Sequence, residues 1–172
     1  DDINIELSNG MFGLLGPNGA GKSSLMRTLA TLQEADSGTA FLDEIDIFKN
    51  PTELRKVLGY LPQEFGVYPQ ITAYQLIDHV AILKGISNGK ERKALVEHLL
   101  QKVNLFAKRH QKVKGFSGGM KQRVGIAQAL IGSPKLIIVD EPTAGLDPGE
   151  RNRFHNLLAD VASEVIIILS TH

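Results

Sequence analysis

The stretch Gly16-Pro17-Asn18-Gly19-Ala20-Gly21-Lys22-Ser23 decides how the rest of the chain is interpreted. It follows an apolar run at residues 11–15, which predicts a buried strand, and it opens a helical pattern over about residues 22–32. Its glycines permit the unusual dihedrals and the close approach of backbone that side chains would prevent. We therefore predict a tight loop between a strand and a helix, with main-chain N–H groups facing a ligand.

A loop of this kind suits a polyphosphate, because backbone amides and a helix N-terminus attract negative charge. The ammonium of Lys22 is expected to reach the β- and γ-phosphates, and the Ser23 hydroxyl is expected to bind Mg²⁺. Chance would produce this pattern in on the order of one percent of chains this long. We therefore predict a Mg-ATP site whose nucleotide-binding residues are Gly16, Pro17, Asn18, Gly19, Ala20, Gly21, Lys22, Ser23 and Ser24.

Asp140 and Glu141 follow directly on the fully apolar run at residues 136–139, which is typical of a central parallel strand. The carboxyl ends of parallel strands gather at the ligand crevice of an α/β sheet. Asp140 is then placed to hold Mg²⁺ opposite Ser23, and Glu141 is the better candidate for the general base that polarises the attacking water. An acidic turn in solvent is the alternative, and the phosphate loop upstream argues against it.

Short apolar runs alternate with helical patterns elsewhere, which indicates an α/β core. Strands are expected at residues 39–42, 57–61 and 165–169, and helices after the caps Asn50 and Asp147, each with a glutamate three residues later. Between these parts, a Thr72–Gln75 capping box, a helical pattern at 95–103 and a helix start at Ser117 predict a mostly helical insertion. We assign about residues 1–70 and 133–172 to the core and about 71–132 to the helical subdomain.

Composition narrows the function classes. The chain has 172 residues, no cysteine, and 19 basic against 19 acidic side chains. A neutral total gives no support for a nucleic-acid partner, and the absence of cysteine excludes disulfides and thiolate metal sites. The longest aliphatic run, residues 165–169, is far shorter than the roughly 20 residues of a membrane span.

Phe116-Ser117-Gly118-Gly119-Met120 contains a second glycine-rich helix start. Ser117 can cap the helix, and the N–H groups of Gly118 and Gly119 then lie at its positive end. Taken alone, this is better explained as an ordinary helix cap that needs no ligand.

Six motifs in order resemble the ATP-binding cassette (ABC) family, and together they cover nearly the whole chain. They match that family's Walker A loop, Q-loop, signature, Walker B, D-loop and switch histidine, and the exporter type fits best. In this sequence they are residues 16–23, Gln63, residues 116–120, Asp140-Glu141, residues 144–147 and His172. The signature departs from the usual Leu-Ser-Gly-Gly-Gln in beginning with Phe116 and ending with Met120.

The resemblance implies a P-loop NTPase fold with an inserted helical subdomain, and it implies head-to-tail pairing with a second ABC domain. Ser117, Gly118 and Gly119 would then contact the γ-phosphate held by the partner's Lys22. Gln63 would help to position Mg²⁺ and water, and His172 would contact the γ-phosphate and help to hold Glu141. ATP binding and hydrolysis would power transport by a transmembrane permease on the cytoplasmic face of the cell membrane.

Residues 65–72 would dock on the permease, or they pack within the helical subdomain. The chain is expected to be an excerpt truncated at both ends, because the family has two strands and an adenine-stacking aromatic residue before its Walker A loop. A soluble ABC ATPase acting on ribosomes or nucleic acid remains the alternative, based on the basic run at residues 108–114. A nucleotide-gated switch without turnover is a third, disfavoured by the presence of Glu141.

Overall fold

The structure is a computed structural model that describes residues 3–63, 70–142 and 145–171. Helices and strands alternate along most of the chain. In order, they are β1 (Gly10–Leu15), α1 (Lys22–Leu29), β2 (Phe41–Leu42), β3 (Ile45–Asp46), α2 (Pro51–Val57), β4 (Leu58–Leu61), α3 (Ala73–Leu83), α4 (Gly89–Lys102), α5 (Gly118–Ala129), β5 (Leu136–Val139), α6 (Pro148–Ala159) and β6 (Ile166–Thr171).

The main sheet is parallel, with the order β1-β6-β5-β4, and β2 and β3 form a separate antiparallel hairpin. Leu61 pairs with Val139, and Val139 pairs with Leu169. The residues that follow these three positions therefore lie at the same edge of the sheet. The predicted α/β class with a parallel core is confirmed, and this edge is where the candidate site lies.

Strand β5 is buried along its whole length because both of its faces are covered. Side chains alternate between the two faces of a strand. Leu136 and Ile138 pack into the cluster formed with α1 and α2, while Ile137 and Val139 pack into the cluster formed with α5 and α6. Burial on both faces explains why the sequence of this strand is a continuous apolar run.

Helix α5 lies unusually close to β4, and two glycines make this possible. A Cβ on Gly59 would collide with the backbone carbonyl of Ala129, and a Cβ on Gly125 would collide with Leu61. The carboxyl-terminal half of α5 is therefore in direct contact with the strand that leads into Gln63.

Two single 3₁₀ turns, at Phe106–Lys108 and Val113–Gly115, lie between α4 and α5. Thr72 and Gln75 form the expected capping box at the start of α3. One buried cluster runs continuously from α3 and α4 through α5 to β5 and β6. The division into core and helical subdomain stays a prediction. None of the helices in the described ranges has the length and apolar character needed to cross a membrane.

Some predicted boundaries and caps are wrong. Helix α1 ends at Leu29 rather than near residue 32, and the strand expected at residues 39–42 is only Phe41–Leu42. Asn50 precedes α2 without a side-chain cap, and Glu53 pairs with Lys56 at 2.7 Å instead. Opposite charges in the same turn attract this carboxylate away from the helix end.

Asp147 caps α6 as predicted, since its carboxylate accepts the Glu150 N–H at 3.0 Å. The Glu150 side chain does not complete the capping box. It turns sideways to Arg153 at 2.8 Å and Arg123 at 3.8 Å, because two guanidinium groups attract a carboxylate more strongly than one backbone N–H.

Candidate active site

The loop at residues 16–21 has the backbone that its glycines predict. Gly19 and Gly21 adopt φ values of 83° and 88°, and Gly21 is the N-cap of α1. Lys22 is 8% exposed, and its Nζ donates to the carbonyl oxygens of Gly16 at 2.6 Å and Pro17 at 3.1 Å. The loop therefore wraps around a buried ammonium beside the first turn of a helix, where unpaired N–H groups and the helix dipole add positive potential.

Asp140 lies directly opposite this helix start. Asp140 is 2% exposed, and its Oδ1 accepts hydrogen bonds from Ser23 Oγ at 3.1 Å and Ser170 Oγ at 2.9 Å. The Asp140 N–H donates to Leu61 O at 2.9 Å, which ties it to the end of β4. Hydroxyl and carboxylate oxygens are ligand types that Mg²⁺ prefers, so the facing pair Ser23 and Asp140 fits this ion.

Glu141 is the next residue, and its backbone is strained. Its φ of 43° places a non-glycine residue in the left-handed region. Its N–H donates to Ser170 Oγ at 2.7 Å, and its Oε2 accepts from Gln63 Nε2 at 2.8 Å. Backbone strain held in place by hydrogen bonds is common at active sites, where it aims one side chain.

Tyr60, on the neighbouring strand β4, experiences the same buried charge. Burial raises the pKa of its phenol above the ordinary value, and the Asp140 carboxylate adds to the shift. Tyr60 therefore stays protonated and neutral at physiological pH.

The signature is built around the start of α5. Ser117 is its N-cap, and the Ser117 hydroxyl accepts from the Met120 N–H at 3.2 Å. Ser117 and Gly118 are exposed, whereas Gly119 is buried. The exposed pair offers a hydroxyl and a helix N-terminus to a molecule outside the chain.

Comparison with known proteins decides the family. The family model described as ABC transporter matches residues 1–144. The chain belongs to the ABC transporter family.

Curated relatives of the ABC family agree over most of the chain. The probable multidrug ABC transporter ATP-binding protein YbhF of Escherichia coli is 40% identical over 91% of the chain, which spans 27% of YbhF. The linearmycin resistance ATP-binding protein LnrL of Bacillus subtilis is 39% identical over 87% of the chain and 48% of its own length. The ABC transporter ATP-binding protein NatA of Bacillus subtilis is 36% identical over 99% of the chain and 70% of its own length.

A solved ABC structure has the same fold. The dimeric post-hydrolysis state of the ATP-binding cassette MJ0796, bound to ADP and Pi, superposes with a TM-score of 0.87 at 27% identity. It covers 99% of this chain and 78% of the cassette. The ABC ATPase fold predicted from the motifs is therefore confirmed.

The structure brings together Lys22, Ser23, Asp140, Glu141 and Gln63 at one edge of the sheet. The catalytic and binding roles of these residues stay predictions. His172, Ala144 of the D-loop and residues 65–69 of the predicted docking stretch lie outside the described ranges.

Ser170 is the site residue that sequence reasoning missed. It is fully buried, and its hydroxyl joins Asp140 to the Glu141 backbone. The available signal was its position: a serine at the end of an apolar strand, where a nonpolar residue would otherwise continue the run.

Proposed function

We propose that this ABC domain binds Mg-ATP on residues 16–24, hydrolyses it, and pairs head to tail with a second ABC domain to drive transport through a permease. One observation carries the proposal. Ser23, Asp140, Ser170, Glu141 and Gln63 form a continuous hydrogen-bonded chain beside the Lys22 loop.

Each part of this chain has a task in phosphoryl transfer. The loop amides and Lys22 bind the phosphates, and Asp140 and Ser23 provide oxygen ligands for Mg²⁺, which when bound neutralises charge developing on the phosphates. The Gln63 side chain fixes one carboxylate oxygen of Glu141, and its amide oxygen is the Gln63 atom suited to the metal. These groups are held before the reaction begins, so little reorganisation is needed.

Glu141 acts as the general base. Water attacks the γ-phosphorus, the bond from that phosphorus to the ADP oxygen breaks, and Glu141 accepts the proton from the water. The products are ADP and inorganic phosphate. MJ0796, which has the same fold, is known in a post-hydrolysis state bound to ADP and Pi.

A second ABC domain completes the site. Ser117 and Gly118 face outward at the start of α5, and MJ0796 is dimeric. We infer that they grip the γ-phosphate on the partner's loop, so that ATP joins the two domains and hydrolysis releases them.

The permease partner and the location at the cytoplasmic face of the membrane are supported by the transporter names of the relatives. YbhF is named for multidrug transport and LnrL for linearmycin resistance, which favours export. The substrate of this protein would be selected by the permease. Within the basic run, Arg109 packs over the Phe106 ring at 4.1 Å, so this guanidinium is engaged inside the chain.

The test uses the purified full-length protein. We expect saturable heat on titration with Mg-ATP, release of phosphate, and a shift from monomer to dimer in analytical ultracentrifugation when ATP is added. Lys22→Ala is expected to lose nucleotide affinity, because the buried ammonium that faces the phosphates is gone. Normal ATP binding by that variant, or no heat with the wild type, would contradict the proposed site.

A further inference from the structure

Glu150 fills the space in front of a signature glycine. It is the third residue of α6. A Cβ added to Gly119 would collide with the Glu150 carboxylate, lying 2.6 Å from Cδ and 2.8 Å from Cγ. An alanine at position 119 would therefore have to displace the Glu150 side chain, whatever the role of this glycine toward a nucleotide.

The carboxylate cannot move aside without losing partners. Arg153 Nη1 lies 2.8 Å from Oε1, and Arg123 Nε lies 3.8 Å from Oε2. Arg123 also donates to Gly119 O at 3.4 Å and Val103 O at 3.4 Å. The Glu150 side chain is 18% exposed and that of Arg123 is 13% exposed, so the low dielectric strengthens the attraction between these two groups. The Arg153 side chain is 69% exposed, so water weakens its pair with Glu150.

The neighbouring glycine contacts the same segment. A Cβ on Gly118 would lie 3.4 Å from the Leu146 side chain, and the Glu150 N–H donates to Asp147. Both signature glycines therefore pack against residues 146–150. The start of α5 and the start of α6 form one packed unit.

We propose that Glu150 is a positioning residue for ATP-driven pairing, because it holds Ser117, Gly118 and Gly119 against the start of α6. This proposal rests on the proposed function. Glu150 is proposed to position the signature rather than to contact the reacting atoms. It acts through Gly119, so that the signature has a fixed position and orientation relative to the partner's γ-phosphate.

The experiment is a double-mutant cycle between Gly119→Ala and Glu150→Ala in the full-length protein. Glu150→Ala is expected to lower kcat and the ATP-dependent association constant about tenfold, while nucleotide affinity of the monomer stays unchanged. Gly119→Ala is expected to lower the same two quantities about a hundredfold, because its methyl group displaces Glu150 from both arginines. In the double variant, kcat and the association constant are expected to lie within about threefold of those of Glu150→Ala, because the Glu150 side chain no longer occupies the space that the new methyl group needs.

Two further variants separate positioning from general damage. Glu150→Gln keeps the shape and one oxygen acceptor, and it is expected to retain more activity than Glu150→Ala. Glu53→Ala is the matched control, since Glu53 is also the third residue of a helix with proline at its first position and pairs with Lys56 at 2.7 Å. It is expected to leave association unchanged.

The outcomes distinguish this proposal from the proposed function. If the wild type neither dimerises in the presence of ATP nor hydrolyses ATP, the proposed function and the positioning role of Glu150 are both overturned. If the wild type is active but the losses of the two single variants simply multiply in the double variant, the positioning role alone is overturned. Urea unfolding of the same four proteins needs no nucleotide. If the two substitutions are coupled in their effect on the unfolding free energy but not in their effect on ATP-dependent association, Glu150 has only a structural role. That result would also overturn the proposal.

Discussion

The buried hydroxyl of Ser170 donates to Asp140 Oδ1 at 2.9 Å, and Ser170 Oγ also accepts the Glu141 N–H at 2.7 Å. One side chain on β6 thereby sets both the carboxylate that suits Mg²⁺ and the backbone of the residue that we propose as general base. An arrangement of this kind needs a hydroxyl, because only a group that donates and accepts can serve both neighbours.

Ser170→Ala is therefore expected to lower the unfolding free energy and to weaken the response to Mg²⁺. A buried Asp140 loses one donor, which costs about 1–3 kcal/mol of unfolding free energy. We also expect the Mg²⁺ concentration for half-maximal hydrolysis to rise. Urea unfolding and Mg²⁺-dependent phosphate release measure the two effects. Ser163→Ala, at an exposed position just before the same strand, is the control.

Glu141→Gln is expected to lower hydrolysis by about a hundredfold or more, because an amide cannot accept the proton from water. The substitution keeps the shape of the side chain beside Gln63, so ATP-dependent dimers should persist and accumulate. Phosphate release and analytical ultracentrifugation on the same sample check both statements. A hydrolysis rate equal to wild type would remove Glu141 as the base.

Gly59→Ala is expected to destabilise the fold by about 2–3 kcal/mol, because its methyl group meets the backbone of α5 rather than a flexible side chain. Gly13→Ala is the matched control in strand β1, where no atom in the described part of the structure lies within 4 Å of an added Cβ. Its unfolding free energy should change by less than about 0.5 kcal/mol. Equal losses in the two variants would contradict the close approach at Gly59.

Lys84 links the end of α3 to the junction of α2 and β4. Its Nζ donates to Arg55 O at 2.7 Å and Leu58 O at 2.7 Å. Lys84→Met leaves two carbonyl groups without this donor and is expected to cost about 1–3 kcal/mol. Lys93→Met, at an exposed position on α4, should be neutral.

The contribution of Lys84 depends on pH in a defined direction. Burial lowers the pKa of Lys84 in the folded protein. Between this lowered pKa and the ordinary value, the unfolded chain binds more protons than the folded chain, so stability rises with pH. We expect the unfolding free energy of wild type minus that of Lys84→Met to increase as pH rises through this window. A difference that falls with pH would contradict the assignment.

The sequence alone predicted the elements whose pattern is local. The apolar run of β5, the capping box at Thr72 and the Ser117 cap each depend on residues within a few positions of one another. The phosphate loop and the position of Asp140 beside Ser23 also followed, because parallel strands place their carboxyl ends together.

Several contacts that the sequence did not predict join distant parts of the chain. Ser170 and Asp140 are 30 residues apart, and Gly59 meets a helix 70 residues away. The side chain of Glu150 was wrongly assigned to a capping box, because it pairs with Arg153 one turn further along the same helix and with Arg123 on α5. Local propensity yields to such tertiary contacts whenever they are stronger.

The close approach of Ala129 to Gly59 makes α5 a lever arm fixed at its carboxyl end. Its 12 residues extend about 18 Å, so a tilt of about 10° at the anchored end would swing Ser117 by about 3 Å. A displacement of β4 too small to break the sheet would then be enlarged, at the far tip, to the length of a hydrogen bond.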